Sequence, residues 1–188
     1  GHCRPIYETR DDHMAVTLDN PSKTKAIAQA KVKNDRLDAK LLAHLLRTNL
    51  LAESYVPPKE IRQQRDLART RKALVEDRTR EKNRVRAVLA RTGNDYDREL
   101  FGPTGATYLE NLSLEDVDRT VIEAHIDVIE ALTAQITSLD QKIEEIAGSR
   151  KPTQLLMTIP GVSYYSSLLI TAEIGEIDRF PSAKKLVS

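Results

Sequence analysis

Residues 122–146 read IEAHIDVIEALTAQITSLDQKIEEI, and their apolar side chains recur at steps of three and four. The isoleucines and leucines of this stretch are Ile122, Ile126, Ile129, Leu132, Ile136, Leu139, Ile143 and Ile146. Steps of three and four form a heptad repeat, which predicts a helix with one narrow apolar seam. So narrow a seam is typical of a coiled coil, and we expect a partner helix in this chain or in a second protomer.

Residues 59–91 are the predicted partner within the chain. They keep a thin apolar seam at roughly heptad spacing, with a polar break around Glu81 and Lys82. The segment carries twelve Lys and Arg against five Asp and Glu, whereas the 122–146 stretch is acidic. A basic helix beside an acidic one predicts an antiparallel coiled coil in which the two charge excesses offset each other.

The distribution of charge indicates a partner outside the chain as well. The net charge is only +1, but residues 1–93 hold 21 Lys and Arg against 12 Asp and Glu, while residues 94–188 hold 8 against 16. A basic half indicates a polyanionic partner, and arginine suits bidentate contact with phosphate. The alternative is a solvated helix laced with i,i+4 ion pairs. The nucleic-acid contacts predicted on this helix are Arg62, Arg65, Arg69, Arg71, Lys72, Arg78, Arg80, Arg84 and Arg86.

A short acidic box lies at the start of a further predicted helix, which begins near Asn34 and runs to residue 51. Asp35 and Asp38 are three residues apart and therefore project from one face of its first turn. Two carboxylates there can share a hard cation such as Mg²⁺, or they can simply cap the helix and complement its dipole. Basic residues around the box would meet the phosphates on which such a metal acts. They are Lys23, Lys25, Lys31, Lys33 and Arg36.

The helix after this box carries a predicted buried stripe of leucines. The stripe consists of Leu41, Leu42, Leu45 and Leu46. Elsewhere we expect a short strand at 14–18, an exposed turn at 102–105 and a short helix at 108–112.

The sequence Ile159-Pro160-Gly161-Val162 separates two apolar segments near the end of the chain. This arrangement has the form of a helix-hairpin-helix, in which a glycine lets backbone N–H groups approach a phosphate. Gly161 and Val162 are the predicted contacts. A plain tight turn between two helices explains the same residues equally well.

Composition limits the remaining possibilities. Cys3 is the only cysteine, which excludes an intrachain disulfide and a cysteine-based zinc site and favours a reducing, cytoplasmic setting. The uncharged run at 153–172 is broken by Pro160 and Gly161, so we expect it to be buried and not to span a membrane. The first residue is not Met and the last segment stops abruptly, so we expect a piece of a longer protein.

The order of these parts resembles the DEDD transposases of the insertion sequence 110 type, relatives of the RuvC-like resolvases. The resemblance extends from about residue 14 to the end of the chain. It rests on KTKAIA at 23–28, NDRLDAKLLA at 34–43, SYVPPKEIR at 54–62, MTIPGV at 157–162 and AEIGEIDRFPS at 172–182.

The resemblance implies a mainly α chain in three parts. Residues 1–56 would be the C-terminal part of a ribonuclease-H-like α/β domain, and residues 57–150 a coiled-coil dimerisation region with the basic helix. Residues 151–188 would begin a C-terminal transposase domain that is helix-hairpin-helix-like. The Pro57-Pro58 pair marks the first boundary.

The resemblance also implies an activity, which is the metal-dependent cleavage and rejoining of DNA strands by the transposase of an insertion sequence, guided by an RNA. Asp35 and Asp38 match the last two carboxylates of an Asp-Glu-Asp-Asp site for Mg²⁺ or Mn²⁺, a cofactor expected only with the complete carboxylate set. The implied partners are DNA, a guide (bridge) RNA and a second copy of the chain. No residue is assigned as the earlier acids or the serine nucleophile of the family, so we expect this chain to be inactive alone. The alternatives are a non-catalytic coiled-coil protein that binds nucleic acid and a decayed transposase relic.

Overall fold

The computed structural model describes residues 17–20, 24, 35–51 and 54–187, with the backbone alone for residues 35–38. The chain forms two compact units, Gly1–Pro57 and Pro58–Ser188. The described residues are mainly helical and include no strand, which confirms the mainly α class. Of the strand predicted at 14–18, residues 17 and 18 are irregular, and residues 14–16 lie outside the described part. The ribonuclease-H-like fold stays a prediction.

Helix α1 of the first unit spans Asp35–Arg47 and ends before the predicted residue 51. It ends there because Asn49 takes a left-handed conformation, with φ at 56°. The N–H of Asn49 donates to the carbonyl of Leu46 at 3.1 Å, and that of Leu50 donates to the carbonyl of Leu45 at 2.9 Å. These two bonds form a Schellman cap, in which Asn is a common substitute for Gly.

The predicted leucine stripe of α1 is only partly buried. Leu45 is buried and Leu41 half-buried, but Leu42 and Leu46 are exposed. The prediction was therefore wrong for Leu42 and Leu46. Periodicity marks the apolar side of a helix, but it does not show how much of that side another element covers.

Helix α2 opens the second unit and spans Lys59–Arg91, which is the range predicted. Gly93 ends it with φ at 72°. The N–H of Gly93 donates to the carbonyl of Ala90 at 3.2 Å, and that of Asn94 donates to the carbonyl of Leu89 at 2.9 Å. A Schellman cap again supplies the stop signal, and the predicted end of the helix is confirmed.

Helix α3 spans Pro103–Asn111 and therefore begins earlier than the predicted helix at 108–112. Pro103 occupies the first turn, where its missing N–H would have had no helical partner. Gly105 is buried, so the predicted exposed turn was wrong at this residue. A Cβ on Gly105 would overlap the carbonyl group of Leu100, and this close approach is what requires a glycine.

Helix α4 spans Asp116–Gly148 and runs antiparallel to α2. Their contacts show the direction, because Arg91 pairs with Asp118, Arg78 donates to Thr133 and Arg71 pairs with Asp140. The buried isoleucines of α4 are every seventh residue, namely Ile122, Ile129, Ile136 and Ile143. The heptad seam is thus the face that packs against α2, while the knobs-into-holes geometry of a coiled coil stays a prediction.

Two apolar clusters hold the second unit together. The first joins α2, α3 and α4 around Val85, Leu89, Leu100 and Ile122, and the rings of Tyr96 and Tyr108 stack beside it with centroids 4.5 Å apart. The second cluster consists of Ile143, Ala147 and Leu168, and it joins the end of α4 to the helix at residues 164–174. The two clusters lie at opposite ends of the α2–α4 pair, because one contains the start of α4 and the other its end.

The last residues of the chain pack on the same helix pair. Helix α5 spans Lys151–Met157 and helix α6 spans Tyr164–Ile174. A 3-10 turn at Ile177–Arg179 and a short helix α7 at Ala183–Val187 follow. Leu168 and Ala172 of α6 are fully buried, so α6 belongs to the same compact unit as α2 and α4. The predicted burial of the run at 153–172 was wrong for Leu155 and Ile159, which are 71% and 51% exposed. Among the described residues, no helix is both long and apolar enough to cross a membrane.

The environment of Gly105 gives a test of the fold. Gly105→Ala should lower the free energy of unfolding by about 1–3 kcal/mol, because the new methyl group has to displace the backbone at Leu100. Urea denaturation monitored by circular dichroism measures the loss. The matched control is Gly102→Ala, whose Cβ would meet Glu99 Cγ at an ordinary 3.4 Å. Equal stability of the two variants would contradict the described packing of α3.

Candidate nucleic-acid interface

Some predicted phosphate contacts of α2 instead hold the second unit together. Arg65 donates from Nε to the carbonyl of Ala172 at 2.6 Å and from Nη2 to the carbonyl of Glu173 at 2.9 Å. These are the last carbonyls of α6, which have no partner within their own helix. Arg65 therefore caps the C-terminal end of α6. Its side chain is only 19% exposed, so little of it is left for contact with a phosphate.

Arg71 ties three helices together. Its guanidinium makes two hydrogen bonds to the carboxylate of Asp140 on α4, at 3.0 and 3.2 Å. The same group lies 4.6 Å from the ring centroid of Tyr165 on α6, a cation–π contact. Arg78 donates to the hydroxyl of Thr133 at 3.3 Å. Arg71 and Arg78 therefore lie toward α4 and not on the free side of α2.

A second group of cations on α2 lies toward solvent, and we call these residues the basic row. They are Arg69, Lys72, Arg80, Arg84 and Arg91, with side chains between 58% and 66% exposed. Arg69, Arg80 and Arg91 follow one another at steps of eleven residues, close to three helical turns, so they share one side of α2. Arg91, which was not among the predicted contacts, belongs to this side as well.

Each member of the basic row has a carboxylate neighbour. Lys72, Arg80 and Arg84 pair within α2 with Glu76, Asp77 and Glu81. Arg91 pairs with Asp118 of α4, and Arg69 with Glu173 of α6. The pairs of Arg69, Lys72 and Arg80 join two exposed side chains, and such pairs contribute about 0–1 kcal/mol each and weaken as salt is added. The acids that pair with Arg84 and Arg91 are less exposed, at 13% and 22%. A polyanion can therefore replace the carboxylate partners of Arg69, Lys72 and Arg80 at little cost.

The remaining predicted contacts are distributed differently. Arg86 lies over the ring of Phe101, 5.1 Å from its centroid, and Lys82 lies 4.7 Å from the same centroid. Arg62 is half-buried near the start of α2. Four predicted lysines lie outside the described residues, namely Lys23, Lys25, Lys31 and Lys33, and the side chain of Arg36 also lies outside them.

The carboxylate pair falls in the first turn of α1. Asp35 is the first residue of that helix and Asp38 lies three residues later, as predicted, although their side chains are outside the described part. Among the residues that the structure describes, no group of three or more His, Cys, Asp and Glu could hold a metal ion. The pair still fits Mg²⁺ by its donor chemistry, because carboxylate oxygens are the ligands that this ion prefers.

The predicted hairpin between α5 and α6 is a tight turn. Gly161 has φ at 87°, and the N–H of Val162 donates to the carbonyl of Ile159 at 3.1 Å. The Val162 N–H is thus engaged within the turn. Gly161 is exposed, and a Cβ there would meet nothing within 4 Å, so the glycine is required by its positive φ and not by lack of space. The hydroxyl of Ser163 then caps α6 by accepting from the N–H of Ser166 at 3.3 Å.

One polar contact crosses the middle of the helix pair at the break around Glu81. His125 Nδ1 lies 2.8 Å from Glu81 Oε2, and both side chains are largely buried. The sequence marked Glu81 as an interruption of the seam but gave no sign of its partner. Glu173 and Asp140 were likewise not identified, because ion-pair partners on separate helices leave no local pattern.

Comparison with known proteins assigns the chain to a protein family. Residues 2–94 match the family model of DEDD transposases of the IS110 type, and residues 153–188 match that of the transposase IS116/IS110/IS902 family. No curated protein matches the chain. A helical chain with these two matches in this order is a transposase-family protein. It belongs to the IS110-type transposases, as the resemblance predicted, and this family implies interaction with DNA.

Proposed function

We propose that the second unit contacts nucleic acid through the basic row, as part of a transposase that cleaves and rejoins DNA. The observation that carries this proposal is the set of five cations, each more than half exposed, along a single helix of an IS110-type transposase chain. From Arg69 to Arg91 the row extends about 33 Å at 1.5 Å per residue, close to one turn of duplex DNA.

The chemistry of the row favours backbone contact over base recognition. Arginine presents paired N–H donors that match phosphate oxygens, and such contacts are independent of sequence. The same chemistry suits a guide RNA, which we keep as a proposed partner on the strength of the resemblance. The Gly161 turn is a second proposed phosphate contact, supported by its exposure and by the N-terminus of α6 that follows it.

We further propose that Asp35 and Asp38 contribute to a site for Mg²⁺ or Mn²⁺. Two observations support this proposal: the i,i+3 spacing of the two residues in the first turn of α1 and the match of this segment to the family. A bound divalent ion would supply a Lewis acid for phosphate oxygens. The proposed part of this chain is to hold that ion through two carboxylates, together with acids that are not assigned here.

An oligomer is the third part of the proposal. Val117 and Val128 of α4 are 72% and 44% exposed, and they lie outside its buried seam. Exposed apolar side chains on this side of α4 indicate that another helix packs there. We propose that this helix belongs to a second copy of the chain.

The contribution of the basic row can be measured by its salt dependence. Arg80→Ala/Arg84→Ala should weaken binding to duplex DNA and lower the slope of log K against log salt by about 2, one for each lost phosphate contact. Fluorescence anisotropy at several salt concentrations gives the slope. Arg98→Ala/Lys151→Ala removes the same charge from exposed positions off the row and serves as the control. Equal slopes in the two variants, or an affinity that salt does not change, would contradict the proposal.

The role of Asp35 and Asp38 is tested in the whole transposase that the insertion sequence encodes. Asp35→Asn/Asp38→Asn should reduce strand exchange by more than about 100-fold, since even groups that only support a metal ligand are worth 10–100-fold. DNA binding should persist. Asn caps a helix as well as Asp does, so the capping alternative predicts nearly normal exchange. Asp95→Asn/Asp97→Asn is the control at exposed positions, and normal exchange in the first variant would favour the non-catalytic alternative.

Self-association is tested by sedimentation equilibrium. The chain should sediment as a dimer or larger even oligomer, and Val128→Asp should weaken this association because it places a charge in the proposed contact. Thr137→Asp, at another exposed position of α4, is the control. A wild-type monomer at every concentration would overturn this part of the proposal.

A further inference from the structure

Arg69 differs from the other members of the basic row in the residue with which it pairs. Three of the others pair with carboxylates of α2 itself, and Arg91 pairs with the start of α4. Arg69 instead reaches the C-terminal end of α6, where it binds Glu173. One cation of the proposed interface therefore also fastens the C-terminal segment.

We propose that Glu173 competes with nucleic-acid phosphates for Arg69, so that DNA binding along the basic row releases the end of α6. This inference rests on the proposed function and adds a means of regulation to the same surface. Glu173 occupies the Nε–Nη2 edge of the Arg69 guanidinium, so a phosphate that takes this edge has to displace the carboxylate.

The geometry of the pair fits such an exchange. Arg69 donates from Nε to Oε1 at 2.9 Å and from Nη2 to Oε2 at 3.0 Å, a bidentate arrangement that a phosphate reproduces. Solvent reaches both partners, because the Arg69 side chain is 60% exposed and that of Glu173 is 41% exposed. Exposure keeps the pair weak, so a duplex carrying many phosphates can displace the carboxylate.

Arg65 lowers the free-energy cost of releasing Glu173 from Arg69. Its Nε lies 3.8 Å from Glu173 Oε2, so the carboxylate retains one cationic neighbour when Arg69 turns away. Arg65 also holds the backbone carbonyls of Ala172 and Glu173, and Leu168 stays in the core. We therefore expect loosening of the last turn of α6 and of the 3-10 turn after it, without undocking of the whole helix.

The first test compares two variants that each remove one negative charge from the C-terminal segment. Glu173→Gln abolishes the competitor, whereas Asp178→Asn changes an exposed residue that has no part in the Arg69 pair. Glu173→Gln should bind a mixed-sequence duplex about two- to fivefold more tightly than Asp178→Asn, the range expected for one exposed ion pair. Fluorescence anisotropy at low salt measures both affinities.

The outcomes separate this inference from the function on which it rests. Equal affinities of the two variants, with salt-dependent binding by the wild type, would overturn the competition and leave the proposed interface standing. Absence of DNA binding in the wild type and in both variants would overturn the interface and the competition together.

The second test follows amide hydrogen exchange in residues 173–180. In the wild type, exchange in this segment should speed up when duplex DNA is added, because Glu173 loses Arg69. In Arg69→Ala the exchange should be fast already and should not change with DNA. Unchanged or slower exchange in the DNA-bound wild type would overturn the inference.

Discussion

Burial of the isoleucine seam of α4 against α2 is the interaction on which the second unit depends. Ile122, Ile129, Ile136 and Ile143 are all buried, and each contributes about 1.5–3 kcal/mol by leaving water. Together they supply roughly 6–12 kcal/mol before chain entropy is counted, which is as large as the net stability of a typical domain. Exposed ion pairs contribute about 0–1 kcal/mol each, so the basic row is a surface of this scaffold and not its support.

The position of each arginine around α2 and along it decides its role. Arg65 and Arg71 lie where α6 and α4 pack, and their guanidinium groups satisfy carbonyls and a carboxylate of those helices. Arg80 and Arg84 lie on the free side and pair only with acids of α2. One residue type thus serves both cohesion and the proposed binding surface, because Arg71 faces α4, whereas Arg65 lies one turn before Arg69 within reach of the end of α6.

Polar contacts within the helix pair fix which residues face each other. The Glu81 carboxylate and the His125 ring meet across the helix pair, and sliding one helix by a turn would separate them and leave His125 without this partner. Arg71 with Asp140 acts in the same way nearer the other end. Such contacts add little net stability but favour a single alignment, as polar groups in helix interfaces commonly do.

The sequence by itself determined the elements whose cause is local. The heptad spacing identified the buried face of α4, and charge and periodicity gave α2 its limits, with Gly93 as its stop. The family resemblance likewise came from motifs read along the chain.

The tertiary structure decided the partners of individual side chains, such as Arg65 with Ala172, which are 107 residues apart. It also buried Gly105 and left Leu42 exposed, because burial depends on what the folded chain brings near a residue, and periodicity records only the residue's own side of its helix.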